Sequence, residues 1–256
     1  VRARLIGNFG VGFNHIDLDA AKARGLVVTN TPEVLTDATA DLAMALLLSV
    51  ARRVGEGERH LRSASWSGWR PTHMMGTQIT GKTLGLLGLG RIGREVARRA
   101  HHGFQMRVLF FDPFPPDGDV ARSLGAEPRA TVEEVLEESD FVSIHCPATA
   151  ENRHLINAER LARMRSDAFI INTARGDIID EAALVSALKA EQIAGAGLDV
   201  YEAEPRVSPG LLDRENVVLL PHLGSATVET RVAMGLRVVE NAEAFFAGQQ
   251  PLDRVG

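Results

Sequence analysis

The chain has 256 residues, 45% hydrophobic, 24% charged and 5% aromatic, with a formal net charge of −5. Such a chain can bury a sizeable core, and its apolar content with so little net charge excludes intrinsic disorder. Cys146 is the only cysteine, which excludes a disulfide scaffold, and the mild acidity argues against a nucleic-acid partner, which would call for a basic face.

Arg4–Phe9 reads as a strand, Asp17–Arg24 as a short helix and Leu26–Thr29 as a second strand. A long helix runs from Thr36 to about His60, with Leu42, Ala45, Leu46 and Ser49 on one face. Its apolar run, Leu42–Ala51, is about half of what a bilayer requires. With no export segment at Val1-Arg2-Ala3-Arg4, the expected location is cytoplasmic, with no membrane partner. The chain opens on Val rather than Met, which suits a fragment or processed product. Ser63–Thr80 lacks a period and holds Trp66, Trp69 and Pro71, so it reads as an extended arm. Strands then follow at Thr83–Gly88, Arg107–Phe111, Phe141–His145, Ala168–Asn172, Ala194–Asp199 and Val217–Leu220. Helices separate or follow them at Ile92–His102, Val120–Leu124, Val132–Glu137, Asn157–Arg163, Glu181–Lys189 and Ala226–Ala247. Helix starts are signalled by Thr131 before Glu133 and Glu134, and by Ser225 or Thr227 before Glu229. Six short apolar strands alternating with helices predict an α/β fold with a doubly wound parallel sheet.

Two glycine motifs compete for a phosphate. Gly88-Leu89-Gly90-Arg91-Ile92-Gly93 is G-x-G-x-x-G between a strand and an amphipathic helix, the context of a dinucleotide-binding turn. Gly88 permits the turn, Gly90 lets the backbone approach a pyrophosphate and Gly93 lets helix pack on strand. Asp112 ends the next strand, 19 residues after Gly93, where an acid accepts hydrogen bonds from the ribose and repels a 2′-phosphate. The expected cofactor is therefore NAD rather than NADP. Gly76–Thr83 matches the P-loop string G-x-x-x-x-G-K-T, but it follows a polar arm and its Lys82-Thr83 opens a strand rather than a helix. Nucleotide triphosphate chemistry is rejected on that ground.

Ligands of doubly wound sheets sit beyond the carboxyl ends of the strands. Arg175, Glu204 and His222 all follow strands there. An arginine suits a bidentate grip on a carboxylate, a histidine can pass a proton to an oxygen, and a carboxylate can hold that histidine's ring. With a nicotinamide alongside, the set suits hydride transfer to a 2-keto acid. His145-Cys146-Pro147 ends another strand and reads as a wall beside the cofactor. No His/Cys spacing suggests a metal site.

These residues resemble the D-isomer-specific 2-hydroxyacid dehydrogenase family over essentially the whole chain. The resemblance rests on Gly10-Val11-Gly12 leading to Asp17, on Thr36–Asp41, Gly88–Gly93, Asn172–Gly176, Asp199–Pro205 and Pro221–Ser225. It implies catalytic roles for Arg175, Glu204 and His222, with the substrate carboxylate held by the backbone at Val11 and Gly12 and by Arg175. It implies cofactor contacts at Thr39, Arg91, Ile92, Asp112, Pro147, Thr173, Asp199, His222 and Gly224, besides Gly88, Gly90 and Gly93. Asp199 would face the nicotinamide carboxamide. Within the family the chain is most similar to glyoxylate/hydroxypyruvate reductases, through Asn30–Asp37 and Trp66–Pro71. Many of those use NADPH, with basic or small polar residues where this chain has Asp112-Pro113. Asn14 stands where relatives often have Asp.

The resemblance also implies a Rossmann domain over 35–225 and a remnant of a discontinuous, flavodoxin-like substrate domain over 1–34 and 226–256, short of the family's by roughly two βα units. It implies a homodimer formed through the long helix and the tryptophan arm. A dinucleotide-sensing binding module or pseudoenzyme of the same fold is the alternative.

Overall fold

The computed structural model describes residues 3–256. In chain order the elements begin with β1 (Leu5–Gly7), α1 (Leu18–Ala23), β2 (Val27–Thr29), α2 (Thr36–Ala51) and α3 (Val54–Arg62). Then come β3 (Thr83–Leu87), α4 (Arg91–Arg98), β4 (Arg107–Phe111), α5 (Gly118–Ser123), β5 (Ala126–Pro128), α6 (Val132–Glu138) and β6 (Phe141–Ile144). The last are α7 (Ala158–Leu161), β7 (Phe169–Asn172), α8 (Glu181–Lys189), β8 (Gly195–Leu198), α9 (Pro209–Leu212), β9 (Val217–Leu219), α10 (Val228–Phe246) and β10 (Arg254–Val255).

Two compact units emerge, Ala40–Leu223 and the remainder, which joins the segment ending at Thr39 to Gly224–Gly256. The division lies at Thr39/Ala40 and Leu223/Gly224 rather than at the expected 34/35 and 225/226. Within the smaller unit the Thr39 hydroxyl donates towards the Gly224 carbonyl (3.1 Å) and the Leu35 carbonyl (3.0 Å).

The larger unit is a seven-stranded, all-parallel sheet in the order β5-β4-β3-β6-β7-β8-β9. The chain leaves β3 in one direction and returns to β6 on its other side, which places a topological switch between those two strands. Alternate residues feed opposite faces. Phe169 and Ile171 join Leu46, Leu84, Leu86, Val108 and Phe141 on one side, while Ile170 joins Val135, Val142, Leu184 and Leu198 on the other. Such two-faced burial requires the near-continuous apolar strands seen in the sequence.

Three expectations need correction. The sheet has seven strands, not six, because Ala126–Pro128 adds an edge strand whose Glu127 and Pro128 are exposed. An edge strand needs neither continuous apolarity nor every N–H, so its sequence carries little strand signal. The long helix is two helices, since Arg53 takes a left-handed conformation (φ 53°) between α2 and α3. The helix after Gly93 closes in a π turn over Arg99–Gly103. Lys82 of the P-loop look-alike sits at the start of β3, with Nζ 3.4 Å from Asp140 Oδ1, at the amino end of the sheet.

In the smaller unit β1 and β2 pair in parallel and β10 adds antiparallel to β2. Helix α10, capped by the Thr227 hydroxyl, packs on β1 so closely that a Cβ on Gly7 would lie 2.8 Å from Val238 Cγ1. Buried Asp253 accepts from Arg237 and Asn241, which ties β10 to the same helix.

Candidate active site

Because all seven strands run the same way, the residues that follow them gather on one edge. Across the larger sheet that edge carries Asp112, the Gly88–Gly93 turn, His145-Cys146, Thr173–Arg175, Asp199 and Leu220–His222, in spatial order.

The three glycines occupy three different environments. Gly88 has φ 99°, and a Cβ there would lie 2.8 Å from the Cys146 nitrogen and 2.9 Å from the His145 carbonyl carbon, so this turn tolerates no side chain. A Cβ on Gly93 would lie 2.3 Å from the Gly88 oxygen. Gly90 faces open space, with nothing within 4 Å of a Cβ. It is also the N-cap of α4 and supplies no side-chain cap. The result is an uncapped helix terminus behind an open cradle, which suits a pyrophosphate. Exposed Arg91 and partly buried Ile92 begin that helix.

Asp112 does more than the spacing predicts. Its Oδ2 accepts from the Leu89 N–H (2.8 Å) and its Oδ1 from the Phe114 N–H (2.9 Å), so the carboxylate braces the glycine turn itself. Thr173 offers a second sign of fit to a dinucleotide, because its hydroxyl is buried without a hydrogen-bond partner. Asp199, fully buried, accepts from the Leu223 N–H at 2.7 Å. Pro147 is exposed, and its carbonyl accepts from Asn152 at 2.9 Å. Thr39, Gly224, Val11 and Gly12 belong to the smaller unit.

His145 lines the glycine turn as a neutral side chain. Desolvation pushes its imidazole down to about 4, and its Nε2 lies 2.8 Å from the Ser143 hydroxyl. Above pH 6.5 neither folded nor unfolded chain protonates this ring, so its full contribution to stability is present. As pH falls from 6.5 towards 4, the unfolded chain takes up a proton that the folded one refuses, at a cost of up to about 3 kcal/mol. The ring's partial exposure makes that an upper bound. Urea unfolding at pH 7 and pH 4.5 checks this, with His145→Asn expected to flatten the difference.

The His222–Glu204 pair forms where β8 and β9 end. His222 Nδ1 lies 2.9 Å from Glu204 Oε2, with both side chains part-exposed. Glu204 Oε1 accepts from the Tyr201 N–H at 3.1 Å, which turns the carboxylate back towards the histidine. His222 has φ 56°, and its N–H donates to the Asp199 carbonyl at 2.9 Å. Backbone, not chance rotamers, thus sets the pair. A carboxylate at Nδ1 fixes the tautomer and directs proton exchange to Nε2.

Arg175 is aimed by Asn172, whose Nδ2 donates to the Arg175 carbonyl (2.8 Å) and whose Oδ1 accepts from the Ala174 N–H (3.0 Å). Immediately after it, a Cβ on Gly176 would fall 1.9 Å from the Tyr201 carbonyl carbon. The arginine turn therefore lies flush on the loop that carries Glu204. Tyr201 completes the linkage, since its hydroxyl donates to the Leu220 carbonyl at 2.8 Å and burial pushes it up to about 12. The sequence reading assigned no role to Asn172, Gly176 or Tyr201. The Asn172–Ala174 bond is an Asx turn and was legible as such, whereas nothing local marks Tyr201 as the residue touching the segments of Arg175, Glu204 and His222.

Among the described residues no group of three or more His, Cys, Asp or Glu could hold a metal, and no helix is long and apolar enough to cross a membrane.

A seven-stranded Rossmann-type sheet, a glycine turn opening a helix, and an Arg, Glu and His at the carboxyl edge define a dinucleotide-binding oxidoreductase. Residues 44–224 match the model of the D-isomer specific 2-hydroxyacid dehydrogenase NAD binding domain. The chain belongs to that family, whose members are oxidoreductases acting on CH–OH donors. It is 49% identical over 253 residues to a glyoxylate reductase of Korarchaeum cryptofilum, covering 98% of this chain and 75% of that protein. It is 48% identical over 254 residues to a glyoxylate reductase of Pyrococcus horikoshii, with the same coverage. It also superposes on an NADPH-dependent glyoxylate/hydroxypyruvate reductase of Sinorhizobium meliloti, solved with NADP and malonate. There the TM-score is 0.91 at 41% identity, over 99% of this chain and 77% of the other.

Proposed function

We propose that the chain is a D-specific reductase of small 2-keto acids, glyoxylate or hydroxypyruvate, with NADH as its preferred cofactor. The His222–Glu204 pair at the sheet edge that carries the glycine turn is the observation behind this reading. When bound, the reduced nicotinamide supplies a hydride to the keto carbon. Arg175 grips the substrate carboxylate through its forked guanidinium. His222 Nε2 gives its proton to the keto oxygen, so that keto acid, hydride and proton yield the 2-hydroxy acid. Glu204 holds the ring, and Asp199 would hold the carboxamide of a bound cofactor. Steady-state NADH oxidation against a panel of keto acids is the test. Turnover supports the reading, whereas NADH binding without turnover of any keto acid would indicate a dinucleotide-sensing module instead.

The preference for NADH rests on Asp112, whose charge opposes a 2′-phosphate. Because Asp112 also holds the Leu89 N–H, two variants separate its roles. Asp112→Asn keeps an acceptor and is expected to narrow the NADH over NADPH preference with little loss of NADH affinity. Asp112→Ala should narrow the preference and also weaken NADH by about tenfold. An unchanged preference in both would move ribose recognition elsewhere.

A cytoplasmic homodimer is part of the same proposal. Trp66 and Trp69 are 52% and 79% exposed, and Leu61 and Met75 nearby are exposed as well, a display of large apolar side chains suited to a second copy. Trp69→Ala is expected to shift sedimentation towards monomer or to raise KM for the keto acid. If it does neither, the arm has no part in assembly.

A further inference from the structure

Helix α8 begins beside the loop that carries Glu204, and its first residue, Glu181, serves that loop. A carboxylate in the first turn of a helix ordinarily answers the unpaired N–H groups there. At α8 the N-cap Asp180 takes that duty, its Oδ1 accepting from the Ala183 N–H at 3.0 Å. Glu181 reaches across to the segment between β8 and α9. Its Oε2 accepts from the Glu202 N–H (3.1 Å) and its Oε1 from the Ser208 N–H (3.0 Å). One carboxylate thus clasps the chain on both sides of Glu204.

The clasp falls where packing gives out. Val200 and Tyr201 are buried, whereas Ala203, Glu204, Pro205 and Arg206 are exposed. Apolar burial therefore anchors the start of the loop but not the stretch that holds Glu204. Inside that stretch the Arg206 N–H donates to the Ala203 carbonyl at 3.0 Å, which shapes the turn without tying it to α8. The Glu202 side chain meets Arg153 and His154, at 3.2 and 2.8 Å from its Oε1, so only the near end of the stretch has a second hold. Bonds from backbone N–H groups to a carboxylate belong to the stronger, charge-assisted class. A glutamine at this position would turn its amide nitrogen towards one of the two donors.

The tie reaches His222 through one further link. The Tyr201 N–H, next to Glu202, donates to Glu204 Oε1 at 3.1 Å, and Glu204 Oε2 lies 2.9 Å from His222 Nδ1.

We propose that Glu181 is a positioning residue for proton transfer: by clasping both ends of the Glu204 turn it keeps the Glu204 carboxylate on His222. The inference rests on the keto-acid reading above and has Glu181 act through Glu204 rather than on the substrate.

The test is a double-mutant cycle in the full chain, with Glu181→Ala and Glu181→Gln each made alone and in the Glu204→Gln background. The readouts are kcat and KM for glyoxylate and hydroxypyruvate, and Kd for NADH. Alone, Glu181→Ala is expected to lower kcat about tenfold to hundredfold, the loss that a displacement of about 1 Å in a reacting group produces. Glu181→Gln keeps one acceptor and should lose less. KM and Kd for NADH should change less than about threefold in both. In the Glu204→Gln background the same substitutions should lower kcat by less than about threefold, because the pair they position is already broken. Unchanged kcat in both single variants overturns the inference while leaving the keto-acid reading intact. So does a loss of undiminished size in the Glu204→Gln background, or a parallel loss of NADH affinity, since Glu181 would then serve the fold at large. Failure of both single variants to fold overturns it on the same ground. A wild-type chain that binds NADH and reduces neither keto acid removes the reading and this inference together.

Discussion

His222→Ala is expected to lower kcat by about 10²–10⁴-fold while leaving Kd for NADH nearly unchanged. The size follows from loss of a positioned proton donor. The selectivity follows from the geometry, because the Gly88–Gly93 turn, Asp112 and Thr173, which fit a dinucleotide, do not use the imidazole, and the cofactor contact implied for His222 is one among several. Glu204→Gln keeps a side chain of the same shape beside Nδ1, 2.9 Å away in the native pair, and should cost less than His222→Ala. A smaller loss in the histidine variant than in the glutamine variant would transfer the proton role from His222. Equal losses of kcat and NADH affinity would make the histidine structural.

Gly176→Ala is the second large effect. The added methyl would sit 1.9 Å from the Tyr201 carbonyl carbon and 2.4 Å from the Glu202 nitrogen, both backbone atoms that cannot rotate aside. Overpacking of this kind costs about 3 kcal/mol, or a fall in Tm of about 6–10 °C in a chain of this size. Activity should fall further than stability. Displacing Tyr201 and Glu202 disturbs the N–H that holds Glu204 Oε1 and hence the ring of His222. Thermal unfolding with steady-state kinetics at a temperature where the variant remains folded checks both parts. A variant with native kcat would show that the Arg175 turn and the Glu204 loop are independent.

Both predictions use contacts between segments remote in sequence, and this is where reading the residues reached its limit. The glycine turn was legible because strand, turn and helix are contiguous, and Gly88 and Gly93 each have a distinct steric reason for lacking a Cβ. The P-loop look-alike was rejected on the same local logic, and Lys82 directly precedes β3, which Thr83 opens. The polar edge strand β5 and the break at Arg53 were missed. Neither interrupts an apolar period strongly enough to register: an edge strand is relieved of two-sided burial, and a single left-handed residue costs too little to require glycine.

The sequence by itself determined the parallel sheet, its dinucleotide turn and the three polar residues at strand ends, because periodicity and local spacing follow from covalent geometry. Only the tertiary structure decided that Asp112, expected to accept from a ribose, also braces the glycine turn, and that Gly176, Tyr201 and Glu204 bring three loops together. Such contacts depend on which strands become neighbours. Strand order is set by the packing of the whole sheet, and no local window of residues contains it.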